Sequence, residues 1–423
     1  MQSIPTSETR AWLARRAGFG FVPGEQDATT TTSVLLDRLT EPDRTGVAVA
    51  APIFGGLPVS LRTNDLGEEG PPLLESWITH QAETPRPLED VMTFFWHDHF
   101  AVSIAAVPST QLLGDHLELL RRNCLGNFRT LLRAVAIDAA MLVFLNGASS
   151  KGDSPNENFG RELLELYGLG VGNYSETDVQ AAAVALTGWT IERNTGEVSF
   201  APFRHDDTPQ VFLSTRGVHD LDTVIDAVVE HPSCPTFIAR KVAEALLGPP
   251  VSDAVVAELA DVFESNDLEI APLVRATLEA GLDGEQRSFG RSPVHLLSSA
   301  LRVTGARPAA NRILALLQGA GQVPGNPPNV GGYPSGDAWF VASTVAARFS
   351  LASEVANNTA DDAAVMTLVA ERDWVALAAQ LALPQGFEPA TIDALQRHAG
   401  GLDQQPDRAL LALALASPDM AVR

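Results

Sequence analysis

Residues 156–166 read Asn-Glu-Asn-Phe-Gly-Arg-Glu-Leu-Leu-Glu-Leu, directly after a Ser-Pro pair, and they carry the strongest signal for the fold. A polar residue placed before apolar residues spaced three and four apart is typical of a helix start. At 100° per residue, Phe159, Leu163 and Leu166 fall on one face, which predicts a helix packed against a core. The same few residues are also rich in charge, so a chemical signal accompanies the structural one.

Glu162 is the charged residue closest to the apolar face of this predicted helix, about 60° from Phe159. A buried carboxylate is costly without a partner, so we expect Glu162 to be paired, protonated or bound to metal. An ordinary acid near a helix start is the alternative. Asn158 lies beside the apolar face, whereas Glu157 and Arg161 lie near the opposite side and form a routine i,i+4 pair.

The composition predicts a globular, mainly helical protein. The chain has 423 residues, of which 45% are hydrophobic and 6% aromatic, and this length fits one large or two moderate domains. Its formal net charge of −23 disfavours binding to nucleic acid and to anionic membranes. The two cysteines, Cys124 and Cys234, are far apart in sequence and predict neither a disulfide framework nor a zinc site.

The sequence contains no segment typical of a membrane-spanning helix. The apolar run from Ala134 to Leu145 is interrupted by Asp138 and is too short to span a bilayer. Residues 1–5 lack the charged start and apolar core of a signal peptide, so a cytoplasmic location is the default expectation. Export by a signal outside this sequence is the alternative.

Helical periodicity covers most of the chain and predicts an all-α fold, a large multi-helix domain with one small β-hairpin insertion near 189–213. Two short β-type runs flank the turn sequence Asn-Thr-Gly at 194–196. The predicted helices lie at about 7–17, 30–40, 71–83, 87–104, 108–122, 126–140, 156–169, 175–188, 218–230, 234–247, 251–265, 270–280, 292–304, 308–320, 337–357, 361–382, 388–398 and 406–416.

A boundary is expected at the Gly-Pro-Pro sequence of residues 248–250, because prolines interrupt a helix. Residues 1–248 would form a helical core, and residues 249–423 would form a C-terminal helical part packed on it. A single domain is the alternative. A loop rich in Pro and Gly at 324–336 interrupts the second part. Such a loop either lines or closes a cavity or packs as a structural Ω-loop.

Two histidines flank an aspartate in residues 94–100, Phe-Phe-Trp-His-Asp-His-Phe. On a continuous helix the side chains of His97 and His99 point about 200° apart, so they share a metal ion only if the helix ends or bends there. The periodicity places His99 towards the core and His97 on a polar face. For both residues, a histidine that only forms a structural hydrogen bond is the alternative.

The pair His205-Asp206 follows the predicted hairpin. Loops on a rigid scaffold often carry functional residues. A histidine beside an aspartate can bind metal or transfer protons. A solvated turn is the alternative.

These segments resemble, in order and over nearly the whole chain, a bacterial family known as domain of unknown function 1800. At two positions the sequence departs from the family pattern: Asp98 stands where the family usually shows asparagine, and Tyr333 where it usually shows tryptophan. The segments that carry the resemblance are 15–20, 95–100, 125–129, 156–163, 185–189, 205–206 and the Pro-Pro-Asn-Val-Gly-Gly loop at 327–332.

The resemblance implies no established activity. It implies that the two-histidine helix, the segment at 156 and the His-Asp loop form one central polar cluster. It also implies export from the cell and a sulfatase-like partner protein, because family members are often encoded beside one.

Two functions fit these observations. The first is an enzyme with a buried His/carboxylate site, performing metal-dependent hydrolysis or oxidation of a small or anionic substrate with a divalent metal as cofactor. The second is a non-enzymatic binding or scaffold protein whose polar cluster is a structural network. Convergence of Glu162, His99 and His205 around an open cavity would favour the enzyme, whereas separate hydrogen bonds to backbone groups would favour the scaffold.

The enzyme hypothesis assigns roles to specific residues. The predicted catalytic residues are Glu162, His99 and Arg161; the predicted substrate-binding residues are Asn158, Trp189 and Asp206; and the predicted metal ligands are His97, His99, Glu162 and His205.

Overall fold

The computed structural model describes residues 5–21, 30–48, 66–107, 109–192, 194–399 and 406–422. Within these ranges the chain forms 21 α-helices, one π-helix, three 3₁₀ helices and two two-stranded antiparallel sheets, so the predicted all-α class is confirmed. Every helix in the described ranges is too short or too polar to span a lipid bilayer. Residues 1–4, on which the expectation about a signal peptide partly rests, lie outside the described residues.

The first nine helices are α1 Ser7–Arg16, α2 Thr32–Thr40, α3 Leu66–Glu83, α4 Pro87–His99, α5 Thr110–Asn123, α6 Phe128–Ala136, α7 Ala139–Phe144, α8 Glu157–Glu162 and α9 Glu176–Ala185. The π-helix is Leu163–Gly168. The 3₁₀ helices are Gly147–Ser149, Pro202–Arg204 and Gly336–Phe340. The strands are β1 Trp189–Ile191, β2 Val198–Phe200, β3 Gln210–Phe212 and β4 Thr215–Val218.

Twelve helices complete the described chain. They are α10 Leu221–Val229, α11 Ser233–Leu247, α12 Asp253–Ser265, α13 Ile270–Leu282, α14 Pro293–Thr304, α15 Ala310–Gly319, α16 Ala342–Asn357, α17 Ala364–Glu371, α18 Trp374–Gln380, α19 Pro389–Ala399, α20 Pro406–Leu415 and α21 Pro418–Ala421.

Two clusters of buried apolar side chains form the interior. The first takes its members from between Trp12 and Leu278, and the second mainly from between Val294 and Met420. Helix α3 contributes to both clusters, and Phe94 of α4 packs against both. Helix α4 is therefore enclosed on more than one side, which matters for the polar residues at its end.

The predicted division of the chain at residue 248 stays a prediction.

The helix predicted at residue 156 begins there. The Asn156 Oδ1 accepts the N–H of Asn158 at 2.9 Å, which is the contact of a helix N-cap. The Asn156 Nδ2 donates to the carbonyls of Leu145 and Asn146 at 3.2 and 3.0 Å, so the cap also fixes the preceding loop. After Glu162 the helix widens into the π-helix, a feature that is rare and often found at functional sites.

Two glycines allow this helix to approach its neighbours closely. A Cβ atom at Gly160 would lie 3.2 Å from the Cβ of Ala182 on α9. A Cβ atom at Gly168 would lie 2.6 Å from a methyl group of Val228 on α10. Since the second distance is below any real contact, α10 can pack here only against glycine.

The β insertion is larger than predicted. Strands β1 and β2 pair antiparallel at the predicted place, although residue 193 of the first predicted run lies outside the described residues. Strands β3 and β4 form a second hairpin that extends to Val218. Its turn residues, Leu213 and Ser214, have φ values of 49° and 68°. This left-handed turn normally contains Asn or Gly, so the sequence carried no signal for it.

Replacing Asn156 by alanine should lower the free energy of unfolding by about 1 kcal/mol, because an N-cap acceptor and two loop hydrogen bonds are lost. Urea unfolding followed by circular dichroism measures this change. The variant Asn156→Ser keeps a capping oxygen but lacks the amide donor, so it should fall between the wild type and Asn156→Ala. Equal stability of all three proteins would contradict this role of Asn156.

Candidate functional site

Helix α4 carries His97, Asp98 and His99 on its last turn and ends at His99, with Phe100 as its C-cap. The prediction that His97 lies on a polar face is wrong: its side chain is 0% exposed, and that of His99 is 8% exposed. Helical rotation assumes one buried face, whereas α4 packs against both hydrophobic clusters. The two histidines nevertheless point to different surroundings, as the rotation predicts.

His97 is held in an aromatic enclosure. Its ring lies edge-on to Trp77, with ring centres 5.4 Å apart, and its Nε2 lies 3.4 Å from the Tyr333 Oη. The Tyr333 hydroxyl donates to the Val323 carbonyl at 2.7 Å, so the proton of the His97 contact belongs to the imidazole. Burial lowers the pKa of His97 to about 3, and the ring is neutral at physiological pH.

His99 contacts the helix of Glu162 through the backbone. Its Nε2 donates to the Tyr167 carbonyl at 3.0 Å, near the end of the π-helix. Burial lowers the pKa of His99 to about 3, with a smaller contribution from the charge of Lys241. Glu162 is half-buried, and its pKa is raised by burial and by Glu165. Among the described residues no hydrogen bond or ion pair joins His99 to Glu162.

Arg161 and Asn158 are occupied with local structure. The Arg161 guanidinium lies 3.3 Å from Glu157 and 2.6 Å from Glu176, so it joins α8 to α9 at the surface. The Asn158 backbone N–H is bound by the cap residue Asn156. Their predicted roles in catalysis and substrate binding stay predictions.

His205 and Asp206 lie beside the first hairpin. The His205 Nδ1 donates to the Thr187 carbonyl at 3.0 Å, and the Asp206 N–H donates to the Thr187 hydroxyl at 3.0 Å. The Thr208 side chain and the Thr208 N–H both donate to the Asp206 carboxylate, and these hydrogen bonds lower the pKa of Asp206. Trp189 packs on Phe200, with ring centres 5.3 Å apart, and Phe200 in turn contacts His205.

The structure does not bring the predicted metal ligands into one hydrogen-bonded group. His97 contacts Tyr333, His99 contacts the Tyr167 carbonyl and His205 contacts Thr187. Within the described ranges, no three His, Cys, Asp or Glu side chains are arranged to hold a metal ion. The metal set and the divalent cofactor stay predictions.

Asp98, between the two histidines, anchors the Pro/Gly-rich loop. The Tyr333 N–H donates to the Asp98 Oδ1 at 2.6 Å. Gly332, with φ of 88°, brings the loop so close that a Cβ atom there would lie 2.4 Å from the same oxygen. Burial raises the pKa of Asp98 to about 6, although the Tyr333 N–H and the charge of Lys241 act in the opposite direction.

Asp98 also lines a cavity of about 280 Å³ between α4, α11, the start of α14 and the loop. Its walls are mainly apolar, which is typical of sites for small organic molecules. The apolar walls include Phe19, Met92, Phe94, Phe95, Phe289 and Trp339, and the polar lining includes Gln81, Asp98, Lys241, Glu244, His295, Gln322 and Tyr333.

Several polar groups in this lining already have partners. The His295 Nε2 donates to the Gly18 carbonyl at 3.1 Å, and the Gln322 Oε1 accepts the Val294 N–H at 3.0 Å. The Tyr333 hydroxyl is used by three neighbours. Lys241 is exposed, and its Nζ lies 5.6 Å from the centre of the Phe237 ring.

Three charged groups remain as candidates for contact with a ligand: the second oxygen of Asp98, the Lys241 ammonium and the Glu244 carboxylate. Sequence reasoning did not assign a role to any of them. A signal existed for Lys241, since it is one of only two lysines in the chain. The signal for Asp98 was its departure from the asparagine that the family resemblance leads one to expect there.

Comparisons with known proteins give one match. A family model described as protein of unknown function (DUF1800) matches residues 12–422. No curated protein and no solved structure matches the chain.

Gly332→Ala should destabilise the protein by more than about 2 kcal/mol, because the added methyl group meets Asp98 and the φ value disfavours any side chain. Gly336 provides a matched control in the same loop, since its φ is 60° and no atom lies within 4 Å of an added Cβ. Gly336→Ala should therefore cost only about 1 kcal/mol. Thermal unfolding of both variants tests this difference, and equal losses would contradict it.

Asp98→Asn should become progressively more stable than the wild type as pH rises from about 4 to above 6. The folded protein holds the Asp98 proton up to about pH 6, whereas the unfolded chain releases it near pH 3.8. Between these values the folded state binds more protons, so the wild type loses stability as pH rises. Melting temperatures from pH 4 to pH 8 measure the effect.

Asp206 is the control for the sign of this pH dependence, because its pKa is lowered in the folded state. The ionised Asp206 stabilises the folded protein above the pKa of Asp206 in the unfolded chain, and this stabilisation is lost as pH falls. The stability of Asp206→Asn relative to the wild type should therefore fall as pH rises, which is the opposite trend to Asp98→Asn. A pH-independent difference between Asp98→Asn and the wild type would contradict the burial of an ionisable Asp98.

Proposed function

We propose that this chain, which belongs to the DUF1800 family of proteins of unknown function, binds a small organic amine in the Asp98 cavity and exchanges a proton with it through Asp98. The observation that carries the proposal is the position of this carboxyl group. One oxygen is fixed by the Tyr333 N–H, and no described residue forms a hydrogen bond to the other. The group is thus oriented by the protein while half of its binding capacity is left for a ligand.

The raised pKa of Asp98 suits proton exchange. A group with a pKa of about 6 is present in both protonation states near neutral pH, so it can serve as acid and as base. Its neighbours His97 and His99 have pKa values lowered to about 3, which leaves them neutral. We therefore assign the proton exchange to Asp98 and positioning roles to the two histidines.

The charges and size of the cavity define the ligand class. Two carboxyl groups, of Asp98 and Glu244, face one ammonium group, of Lys241, and this balance favours a ligand that brings a positive charge. A volume of about 280 Å³ is near the lower end for ligand pockets, so the ligand is small. The aromatic walls favour an apolar part such as a ring.

The scaffold hypothesis accounts for the contacts of His99, His205 and Arg161. His99 and His205 each donate to a backbone carbonyl, and Arg161 pairs with two surface glutamates. Such contacts are those of a structural network, as the alternative hypothesis expects. Asparagine, which the family resemblance leads one to expect at position 98, cannot exchange a proton. The proton exchange is accordingly proposed for this chain, and ligand binding in the cavity does not depend on it.

Binding of a divalent metal and binding of a sulfatase-like partner protein stay separate proposals, and amine binding does not depend on either. Elemental analysis of the purified protein, with melting temperatures in the presence of Zn²⁺, Mn²⁺ and Mg²⁺, tests the metal. The predicted ligands His97, His99, Glu162 and His205 would have to rearrange to share one ion, because no three such side chains of the described residues are arranged to hold a metal.

Benzylamine should bind the protein more tightly than benzyl alcohol, and benzoate should bind most weakly, because the three probes differ only in the group presented to Asp98. Calorimetric titration measures the three affinities. Asp98→Asn should weaken benzylamine about tenfold, since a charge-assisted hydrogen bond becomes a neutral one. The affinity of the wild type for benzylamine should also rise from pH 5 to pH 7 as Asp98 ionises, and this rise should be absent in Asp98→Asn.

Two phenylalanine variants locate the binding site. Ala245 lines the cavity, so Ala245→Phe should fill it and abolish benzylamine binding. Ala254 is an exposed residue of α12 away from the cavity, and Ala254→Phe should bind like the wild type. Benzylamine binding that survives Ala245→Phe, or benzoate binding as tight as that of benzylamine, would overturn the proposal. Proton exchange is measured in the same titration: near pH 6, binding of benzylamine to the wild type should release protons to the buffer as Asp98 ionises, and binding to Asp98→Asn should release none.

A further inference from the structure

A second, larger cavity of about 650 Å³ lies away from Asp98, between α1, the residues that follow α13, the loop before α19 and the C-terminal helix α21. Two consecutive arginines of α1, Arg15 and Arg16, line it. Each is only 3% exposed. Buried arginines normally pair with a carboxylate, and these two therefore need an explanation.

The partners of both arginines are neutral. Arg15 donates to the carbonyls of Asp419 and Val422, and its Nη1 lies 3.9 Å from the Met420 sulfur. Arg16 donates to the carbonyls of Leu246 and Arg287 at 3.2 and 2.5 Å. Among the described residues, no carboxylate lies within ion-pair distance of either guanidinium. The Asp419 carboxylate accepts the Glu388 N–H and the Thr391 hydroxyl, and its charge raises the pKa of Arg15 without an ion pair between the two side chains.

The hydrogen-bond capacity of the pair is not exhausted. A guanidinium has five N–H donors. Arg15 donates three of its five N–H groups to Asp419, Met420 and Val422, so two donors remain. Arg16 donates two to Leu246 and Arg287, so three donors remain. The indole N–H of Trp12, which lines the same cavity and is 6% exposed, also has no hydrogen-bond partner among the described residues.

The two guanidiniums also repel each other. Burial lowers the pKa of Arg15 to about 9, and the neighbouring charge of Arg16 adds to this effect. Burial lowers the pKa of Arg16 to about 10. Both remain charged at neutral pH, so an anion placed between them would relieve the repulsion and part of the desolvation cost.

We propose that this cavity binds a small zwitterionic molecule, with its carboxylate held by Arg15 and Arg16 and its amine facing the acidic rim. The remaining guanidinium donors suit a planar carboxylate, which arginine binds through two parallel hydrogen bonds. The exposed carboxylates of Glu8 and Glu388 lie at the rim of the same cavity. The exposed Arg287 lines the same cavity, so the two carboxylates exceed it by one negative charge. This balance favours a cationic group at the other end of the ligand and disfavours multiply charged anions such as phosphate.

A matched set of probes tests this arrangement in the full chain. Calorimetric titration compares 6-aminohexanoate, hexanoate and hexylamine, which share a six-carbon chain and differ in charge, with inorganic phosphate as a multiply charged anion. The expected order is 6-aminohexanoate tightest, hexanoate weaker, and hexylamine and phosphate without binding. Failure of hexanoate to bind, or binding of hexylamine as tight as that of hexanoate, would overturn the proposal. Phosphate binding at least as tight as that of 6-aminohexanoate would do the same.

Variants separate the two ends of the site. Arg15→Gln should weaken 6-aminohexanoate about tenfold, and Arg15→Lys should recover part of the affinity because the charge is kept. If Arg15→Gln fails to fold, the rim variant Glu8→Gln/Glu388→Gln decides, since both side chains are exposed. This variant should bring the affinity for 6-aminohexanoate down to that for hexanoate, and an unchanged preference would contradict the zwitterion.

The two cavities are distinguishable in the same experiment. Ala245 lines the Asp98 cavity and not the cavity of Arg15, so Ala245→Phe should bind 6-aminohexanoate like the wild type. Loss of 6-aminohexanoate binding in Ala245→Phe would place the ligand in the Asp98 cavity and overturn the assignment to Arg15 and Arg16.

Discussion

The hydrogen bond from the Tyr333 N–H to the Asp98 carboxylate holds the Pro/Gly-rich loop on the end of α4, and the interior around the candidate site depends on it. The same tyrosine completes the attachment with its hydroxyl, which is bonded to Val323, Asn326 and His97. A loop with so many Gly and Pro residues gains little from its own backbone, so these contacts must offset the cost of ordering it. The loop then forms one wall of the Asp98 cavity.

The general fold was predictable because helical periodicity and helix caps are local signals. Asn156 is an N-cap where the sequence indicates one, and Ser175 forms a capping box at the start of α9. Features with unusual backbone angles were not predictable. Arg372 ends α17 with φ of 60°, where the sequence predicts one continuous helix, and the second hairpin turns at Leu213 without Asn or Gly. Arg and Leu rarely adopt such angles, so tertiary packing decides them.

The candidate site was predictable only in part. The rotation of the helix placed Glu162 at the border of the core, and the structure shows it half-buried. The partner of His99 could not be predicted, because it is the Tyr167 carbonyl near the end of a π-helix that has no recognised sequence signal. The burial of His97 was missed for a related reason, since a helix packed on two sides has no polar face.

The identity of residue 98 distinguishes a structural role from a chemical one. An asparagine at this position would accept the Tyr333 N–H through its amide oxygen and would hold the loop equally well. It would do so without burying an ionisable group, whereas Asp98 has a pKa raised to about 6 and therefore carries an ionisation cost at neutral pH. A cost that brings no structural benefit is characteristic of functional sites, where stability is often given up for chemistry. Asp98 has the additional properties that such a role requires: it borders a cavity, it is fixed through one oxygen and its second oxygen has no partner among the described residues.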